Sequence, residues 1–380
     1  MDSATLSTMS VSRLRELVLT KAELLCFGIR PNNGALTLFR AQNPSGDWKT
    51  GNVGVHFSLD GLTWVLATVS HSFDRSSPYS IAEQRGAWVL LKNGSVACPV
   101  VPLAAPRWYH GRTANDAEMA SVFLAEGRNF LHQTYAGCDY QARGIGCGFC
   151  ATGASWRIAA PPDVGATVAS AVGENPNYLV CLGGGARLPL HRNIPYFAEC
   201  AREIRQRGIG APIWVEMVPP EHKEDIQILV EAGVTSFGFN IEIWDDRLRA
   251  DMCPGKGVIP KVIYFSAMAE AARLLGRNRV GSCVLVGLEP LDSTVRGVEA
   301  LASAGVQPCV LPFKPWDGSR YATMRSCEPS QLMEASYAAA EAMMACGLSP
   351  QMNEGCLRCE ACTIDHDLYA VALSEKEVTQ

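Results

Sequence analysis

The sequence predicts an α/β protein built on a parallel sheet, and three observations carry that prediction. From about residue 115, apolar runs of strand length alternate with longer stretches of helical periodicity, six times over. The runs are near-continuously apolar, as in strands covered on both faces. Each intervening stretch is long enough for the crossover that parallel neighbours require. A partial barrel and an open doubly wound sheet both satisfy this order, whereas a full eight-unit barrel needs more chain.

In chain order, residues 9–25 place apolar side chains at helical spacing, with Ser10 or Ser12 as a candidate cap. Short β-rich runs come next (ALTLFRA, VGVHFSL, WVLATVS, AWVLLKN), broken by turn signals at PNNG, LDG and KNG. Residues 1–106 therefore read as an N-terminal helix plus a β-rich accessory domain, joined by a linker over 102–114. The predicted strands beyond it are 129–135, 178–182, 212–217, 236–242, 280–288 and 307–313. The predicted helices are 162–173, 193–207, 222–232, 260–275, 292–304 and 329–346. These fill a domain over 115–346 and leave a C-terminal extension, 347–380.

Composition narrows the function. A chain of 380 residues, 48% apolar and 19% charged, is an ordinary globular protein. Its net charge is −5 without runs of one sign, so nothing points to nucleic acid or to an anionic membrane surface. The N-terminal stretch has no apolar signal core, and no segment stays apolar for the roughly 18 residues of a membrane span. A cytoplasmic protein is expected. Fifteen cysteines in a reducing compartment point to metal or redox chemistry rather than disulfides.

Six of those cysteines fall into two tight groups, Cys138/Cys147/Cys150 and Cys356/Cys359/Cys362. The other nine read mostly as small core residues. The first group lies in NFLHQTYAGCDYQARGIGCGFCATG (residues 129–153), where glycines among the thiols let the backbone turn close to a metal centre. Thiolates are the usual ligands of iron–sulfur clusters and of structural zinc. Three ligands leave one metal position open to something else. A zinc knuckle wants a fourth Cys or His nearby, and His132 precedes the loop in the strand.

Cys147-Gly-Phe149-Cys150, after a first strand, resembles the cluster loop of radical S-adenosylmethionine (SAM) enzymes. That family most often has three residues and then two between its cysteines; here there are eight and then two. The resemblance implies a partial (β/α)6 TIM-like barrel, a 4Fe-4S cluster on Cys138, Cys147 and Cys150, and SAM bound to the open iron. Reductive cleavage of SAM to a 5′-deoxyadenosyl radical, followed by hydrogen abstraction from a small-molecule substrate, is the implied activity, fed by an external one-electron donor. A loop just past the first strand suits the barrel, whose sites gather at the strands' C-terminal ends. The resemblance further implies SAM contacts at Gly183, Gly184 and Gly185, with Gly185 standing where the family often has Glu. It also implies SAM contacts at Glu242 and at Gly287. Asn240 and Arg249 are candidates beside them: polar groups at a strand end need a partner or a ligand, and Arg249 can fork onto a carboxylate. A tight turn is the plainer reading of the glycines, and a solvated charge that of Arg249. Lys314 and Trp316, past the last strand, either hold substrate or close the barrel.

Two CxxC spacings sharing Cys359 point to a second iron–sulfur centre, an auxiliary 4Fe-4S cluster, with zinc as competitor. Cys327, Cys346, His366 or substrate would complete it. The barrel with such a cluster resembles the biotin- and lipoyl-synthase branch, which implies sulfur insertion, a transferase-type reaction; other C–H functionalisation, rearrangement or dehydrogenation comes close behind. The reading from a different class is a zinc- or iron–sulfur-stabilised binding or electron-transfer protein without radical chemistry.

Overall fold

In the computed structural model, residues 11–44, 54–69, 77–135 and 137–379 are described; Ser10 lies outside them. Helix α1 (Val11–Phe27) buries Leu14, Leu17, Val18, Leu24 and Leu25, one stripe at helical spacing. Residues 35–41, expected as a strand, belong instead to helix α2 (Asn33–Gln42). Asn32 caps it by accepting from the Ala35 N–H at 2.8 Å, and Ala35, Leu38, Phe39 and Gln42 form its buried face. Period 3.6 wins over β-propensity there.

Strands β1 (Gly54–Leu59), β2 (Thr63–Thr68), β3 (Tyr79–Gln84), β4 (Ala87–Lys92) and β5 (Ser95–Pro102) form an antiparallel sheet in the order β2-β1-β5-β4-β3. The turns Asp60-Gly61 and Asn93-Gly94 both take positive φ, the hairpin geometry that matches strand twist.

The second sheet has seven strands, in the order β12-β11-β10-β9-β8-β7-β6. They are β6 (Phe123–Glu126), β7 (Phe130–Gln133), β8 (Leu179–Gly183), β9 (Ile213–Glu216), β10 (Ser236–Gly238), β11 (Val280–Val286) and β12 (Gln307–Pro312). β7 to β12 run parallel, each beside the next in sequence, and β6 pairs antiparallel with β7. A doubly wound sheet reverses its strand order at a switch point. This one never reverses, so it curls into a half-barrel, and β12 and β6 remain its two edges. Helices succeed the parallel strands, among them α4 (Pro161–Glu174), α5 (Asn193–Gln206), α9 (Lys261–Leu275), α10 (Leu291–Ser303) and α11 (Pro329–Ala345).

β6 is an addition to the six predicted strands. FLAE is too short to signal a strand by itself, and it becomes one only by pairing as a hairpin with FLHQ. β10 is shorter than expected because Glu242 takes φ +69 and leaves the ladder for a single bridge to Val284. The last helix, α13 (Asp365–Thr379), returns to α1, where Lys21 and Asp367, both fully buried, form an ion pair at 2.6 Å. A charge pair this deep is costly to break, so it fixes how the two ends of the chain meet. No helix among the described residues is long and apolar enough to cross a membrane.

Candidate active site

The loop after β7 explains the long first spacing. The eight residues between Cys138 and Cys147 contain a helical turn, α3 (Asp139–Ala142), which carries Tyr140 into the interior. Asp139 anchors this turn, accepting from the Leu188 N–H at 2.7 Å and from Trp156 Nε1 at 2.8 Å. Gln141 Nε2 donates to the carbonyls of Cys147 and Cys150, tying the insertion to the second half of the motif.

Cys138, Cys147 and Cys150 are all half-buried, none is in a disulfide, and all three line one cavity of about 210 Å³. Its other walls come from the C-terminal ends of β7 to β10: Gly183 to Ala186, Glu216 to Val218, Asn240 and Glu242. Phe149 and Tyr140 close its side. The glycines after β8 are there for close approach, not for positive φ. A Cβ on Gly184 would fall 1.7 Å from the Tyr135 ring, and one on Gly185 would fall 2.1 Å from the Gly137 carbonyl and 2.6 Å from the Cys138 Cβ. The thiol loop can rest on the end of β8 only because those positions have no side chain.

Glu242 is the centre of charge. It is buried, one carboxylate oxygen accepts from Lys256 Nζ at 2.7 Å, and the other has no partner. Burial works against the Lys256 ammonium, but Glu242 outweighs it and holds the lysine well above its ordinary pKa. Ligand atoms of Cys147, Glu242 and Cys253 lie within 4.8 Å of one another. A hydrogen bond with Cys253, then burial, pushes the Cys147 thiol well up. Burial also raises Cys150, tempered by the Thr152 N–H at 3.4 Å.

Deeper in the cavity, Asn240 donates to Glu216 and accepts from the Cys283 N–H at 3.0 Å. His132 lines the same space and lies 3.1 Å from Glu126. Burial opposes a charge on this imidazole, but Glu126 and then Glu216 prevail and lift it to about 9.

Of the residues singled out in the sequence, Cys138, Cys147, Cys150, Phe149, Gly183, Gly184, Gly185, Asn240 and Glu242 meet at the cavity. Arg249 does not. It is not a solvated charge: it is 2% exposed, lies over the Tyr264 ring and donates to the Ile259 carbonyl at 3.0 Å. Gly287 also lies elsewhere, with φ +102 and its open side against Cys327. Lys256 escapes sequence reasoning, because a lysine in CPGKGV carries no local signal; only its pairing with Glu242 reveals it.

No protein-family profile matches the chain. A curated relative, the bacteriochlorophyllide c C-7(1)-hydroxylase of Chlorobaculum limnaeum, is 22% identical over 255 residues. That alignment spans 60% of this chain and 63% of the relative's length. Among solved structures, the [FeFe]-hydrogenase maturase HydG is similar at TM-score 0.46 and 14% identity, over 62% of this chain and 55% of that one. A radical SAM methyltransferase from Sphaerobacter thermophilus is similar at TM-score 0.43 and 14% identity, over 72% of this chain and 76% of that one.

The second thiol group does not line the cavity, but Cys356 lies 3.7 Å from Glu216 on its wall. Cys356 and Cys359 bound a short helical turn, α12 (Cys356–Cys359), and Glu360 after it is buried with φ +66. The turn is held by backbone hydrogen bonds from Arg128 to Cys359 (3.0 Å) and from Leu66 to Ala361 (2.7 Å). Of the expected completing ligands, Cys327 lies 3.7 Å from Cys26 and Cys346 closes α11 with its carbonyl on Arg277, whereas His366 lies 3.7 Å from Glu360, within the turn between Cys359 and Cys362.

Proposed function

We propose that the chain is a radical SAM enzyme that functionalises a C–H bond of a small molecule. One observation carries this reading: three thiols of a single loop line one cavity together with a buried carboxylate oxygen that lacks a partner. Cys138, Cys147 and Cys150 would hold the 4Fe-4S cluster. When bound, such a cluster with one open iron supplies the electron that cleaves SAM and frees the 5′-deoxyadenosyl radical that abstracts hydrogen.

The protein's own share is binding and enclosure. The free oxygen of Glu242 accepts from a cationic amino group, and Lys256 offers a cation to a carboxylate beside it. Glycines 183 to 185 line the cavity and let the thiol loop seat on the β8 end, while Phe149 and Tyr140 exclude water from the side. Glu216, Asn240 and His132 form the inner wall, where substrate would rest. Because the Cys253 hydrogen bond and burial raise Cys147, and burial raises Cys150, metal loading at these two thiols releases protons and strengthens as pH rises.

In the same reading Cys356, Cys359 and Cys362 hold an auxiliary 4Fe-4S cluster, an external donor supplies electrons, and the enzyme works in the reducing cytoplasm. Heteroatom insertion is the reaction that fits. The relative named a hydroxylase supports oxygen as the inserted atom; sulfur, as in the biotin- and lipoyl-synthase branch, requires an auxiliary cluster with an open or sacrificial position.

The test is anaerobic reconstitution, then addition of SAM and dithionite. We expect 5′-deoxyadenosine from the wild type and none from Cys147→Ala. About four to eight irons per chain are expected; one or two zincs without SAM cleavage would sink the reading in favour of a metal-stabilised binding protein.

A further inference from the structure

Three strand cysteines with the sequence character of ordinary core residues share the inner face of the half-barrel. Cys283 on β11 and Cys309 on β12 are register partners and line one small void. Side chains two apart on a strand share a face, so Cys283 points the same way as Gly281, whose open side meets the Trp214 indole. Cys181 on β8 is the register partner of Trp214, and Gly183, on the same face, opens toward both Cys181 and Glu216.

The C-terminal turn enters this same space. Gly355 packs its open side on Trp214, 2.2 Å from where its Cβ would stand. That contact carries Cys356 into one small void with Cys283 and brings its sulfur to 3.7 Å from Glu216 Oε2. Cys359 and Cys362 pack in one group with Cys181, Trp214 and Phe130. Six thiols, three from the strands and three from the turn, therefore gather beneath Glu216 and the cavity.

We infer that Cys283 is the fourth protein ligand of the auxiliary centre, which lies inside the half-barrel under the SAM cavity. The inference rests on the proposed auxiliary cluster and adds both its missing ligand and its position. Cys283 lines one small void with Cys356 of the triad, and its backbone N–H is held by Asn240, which also holds Glu216. The strands are locked in a parallel ladder. The turn is tied by two backbone hydrogen bonds to β2 and the β6–β7 corner. The void between Cys283, Cys309 and Cys356 is only about 10 Å³, so loading moves the turn and leaves the strands in place. Four thiolates close the centre to exogenous ligands, which makes it an electron-transferring or structural cluster by coordination. Glu216, touching Cys356 below and Asn240 above, links the two sites.

The experiment uses the full-length reconstituted protein, with iron analysis and Mössbauer and EPR spectra of wild type, Cys283→Ser, Cys327→Ser and Cys356→Ala. We expect Cys356→Ala to lose about half the iron. Cys283→Ser should keep its fold by circular dichroism but show a changed auxiliary signal with one labile iron. Cys327→Ser should match the wild type. An unaltered auxiliary spectrum in Cys283→Ser, with iron lost in Cys356→Ala, overturns Cys283 as ligand while the auxiliary cluster stands. Full iron in Cys356→Ala, or zinc in place of iron, removes the auxiliary cluster itself and the inference with it.

Discussion

Two groups of three cysteines, each ending in the same two-residue spacing, occupy opposite kinds of environment in this molecule. Cys138, Cys147 and Cys150 stand on a loop at the strands' C-terminal ends and face an open cavity with a carboxylate and an ammonium in it. Cys356, Cys359 and Cys362 stand on a turn pushed into the half-barrel, among further thiols and an indole. By spacing alone both groups read as metal sites. In the reading proposed above, surroundings separate a site that binds and releases a ligand from one that stays shut.

The largest expected effect tests that separation. Cys150→Ala should remove iron from the loop only, about half the total, and abolish SAM cleavage. Cys359→Ala should remove the other half and leave 5′-deoxyadenosine formation running while the inserted product disappears. Iron counts paired with both product assays check it; loss of all iron from either variant would mean the groups share one centre.

The next effect sharpens the charged side of the comparison. Lys256→Ala leaves the buried Glu242 without its cation, and breaking a buried pair costs about 3 kcal/mol. We expect SAM binding to weaken by roughly tenfold or more, read by equilibrium dialysis, with a lowered melting temperature. The inner centre should keep its spectrum, since no residue of it touches Lys256.

A smaller, steric effect is expected at the loop's seat. Gly184→Ala puts a methyl group where the Tyr135 ring stands, and overpacking of that kind costs about 1–3 kcal/mol. Thermal unfolding should show the loss. A variant as stable as the wild type would show that the loop does not rest on the β8 end.

Much of this is legible in the chain itself, and the remainder is hidden for a physical reason. The repeated strands and helices of the half-barrel and the thiol loop come from periodicity and spacing, which are local signals. Asn32 reverses one strand assignment by capping a helix, since ALTLFRA fits both periods. Chain position puts Arg249 and Gly287 near the site, yet a side chain's direction depends on packing against Tyr264 and Cys327, which sequence order does not encode. Lys256, Cys253 and Cys283 stay hidden for the converse reason. Each matters only through a neighbour distant in sequence, namely Glu242, Cys147 and Cys356.

The subtlest prediction lies between the two thiol groups, at His132. Burial disfavours its charge, but Glu126 and Glu216 overcome this and raise it to about 9, above the unfolded value near 6.5. A raised basic group stabilises the fold fully below the unfolded pKa, and the contribution is lost as pH climbs through the folded one. The stability difference between wild type and His132→Gln should therefore be constant below about pH 6.5 and shrink toward pH 9. Denaturant midpoints of both proteins across that window measure it, and subtracting the variant cancels the thiols that titrate nearby. A difference that stays flat to pH 9 would mean the imidazole is neutral beside Glu126. The inner wall of the cavity would then present substrate with an unscreened carboxylate instead of an ion pair.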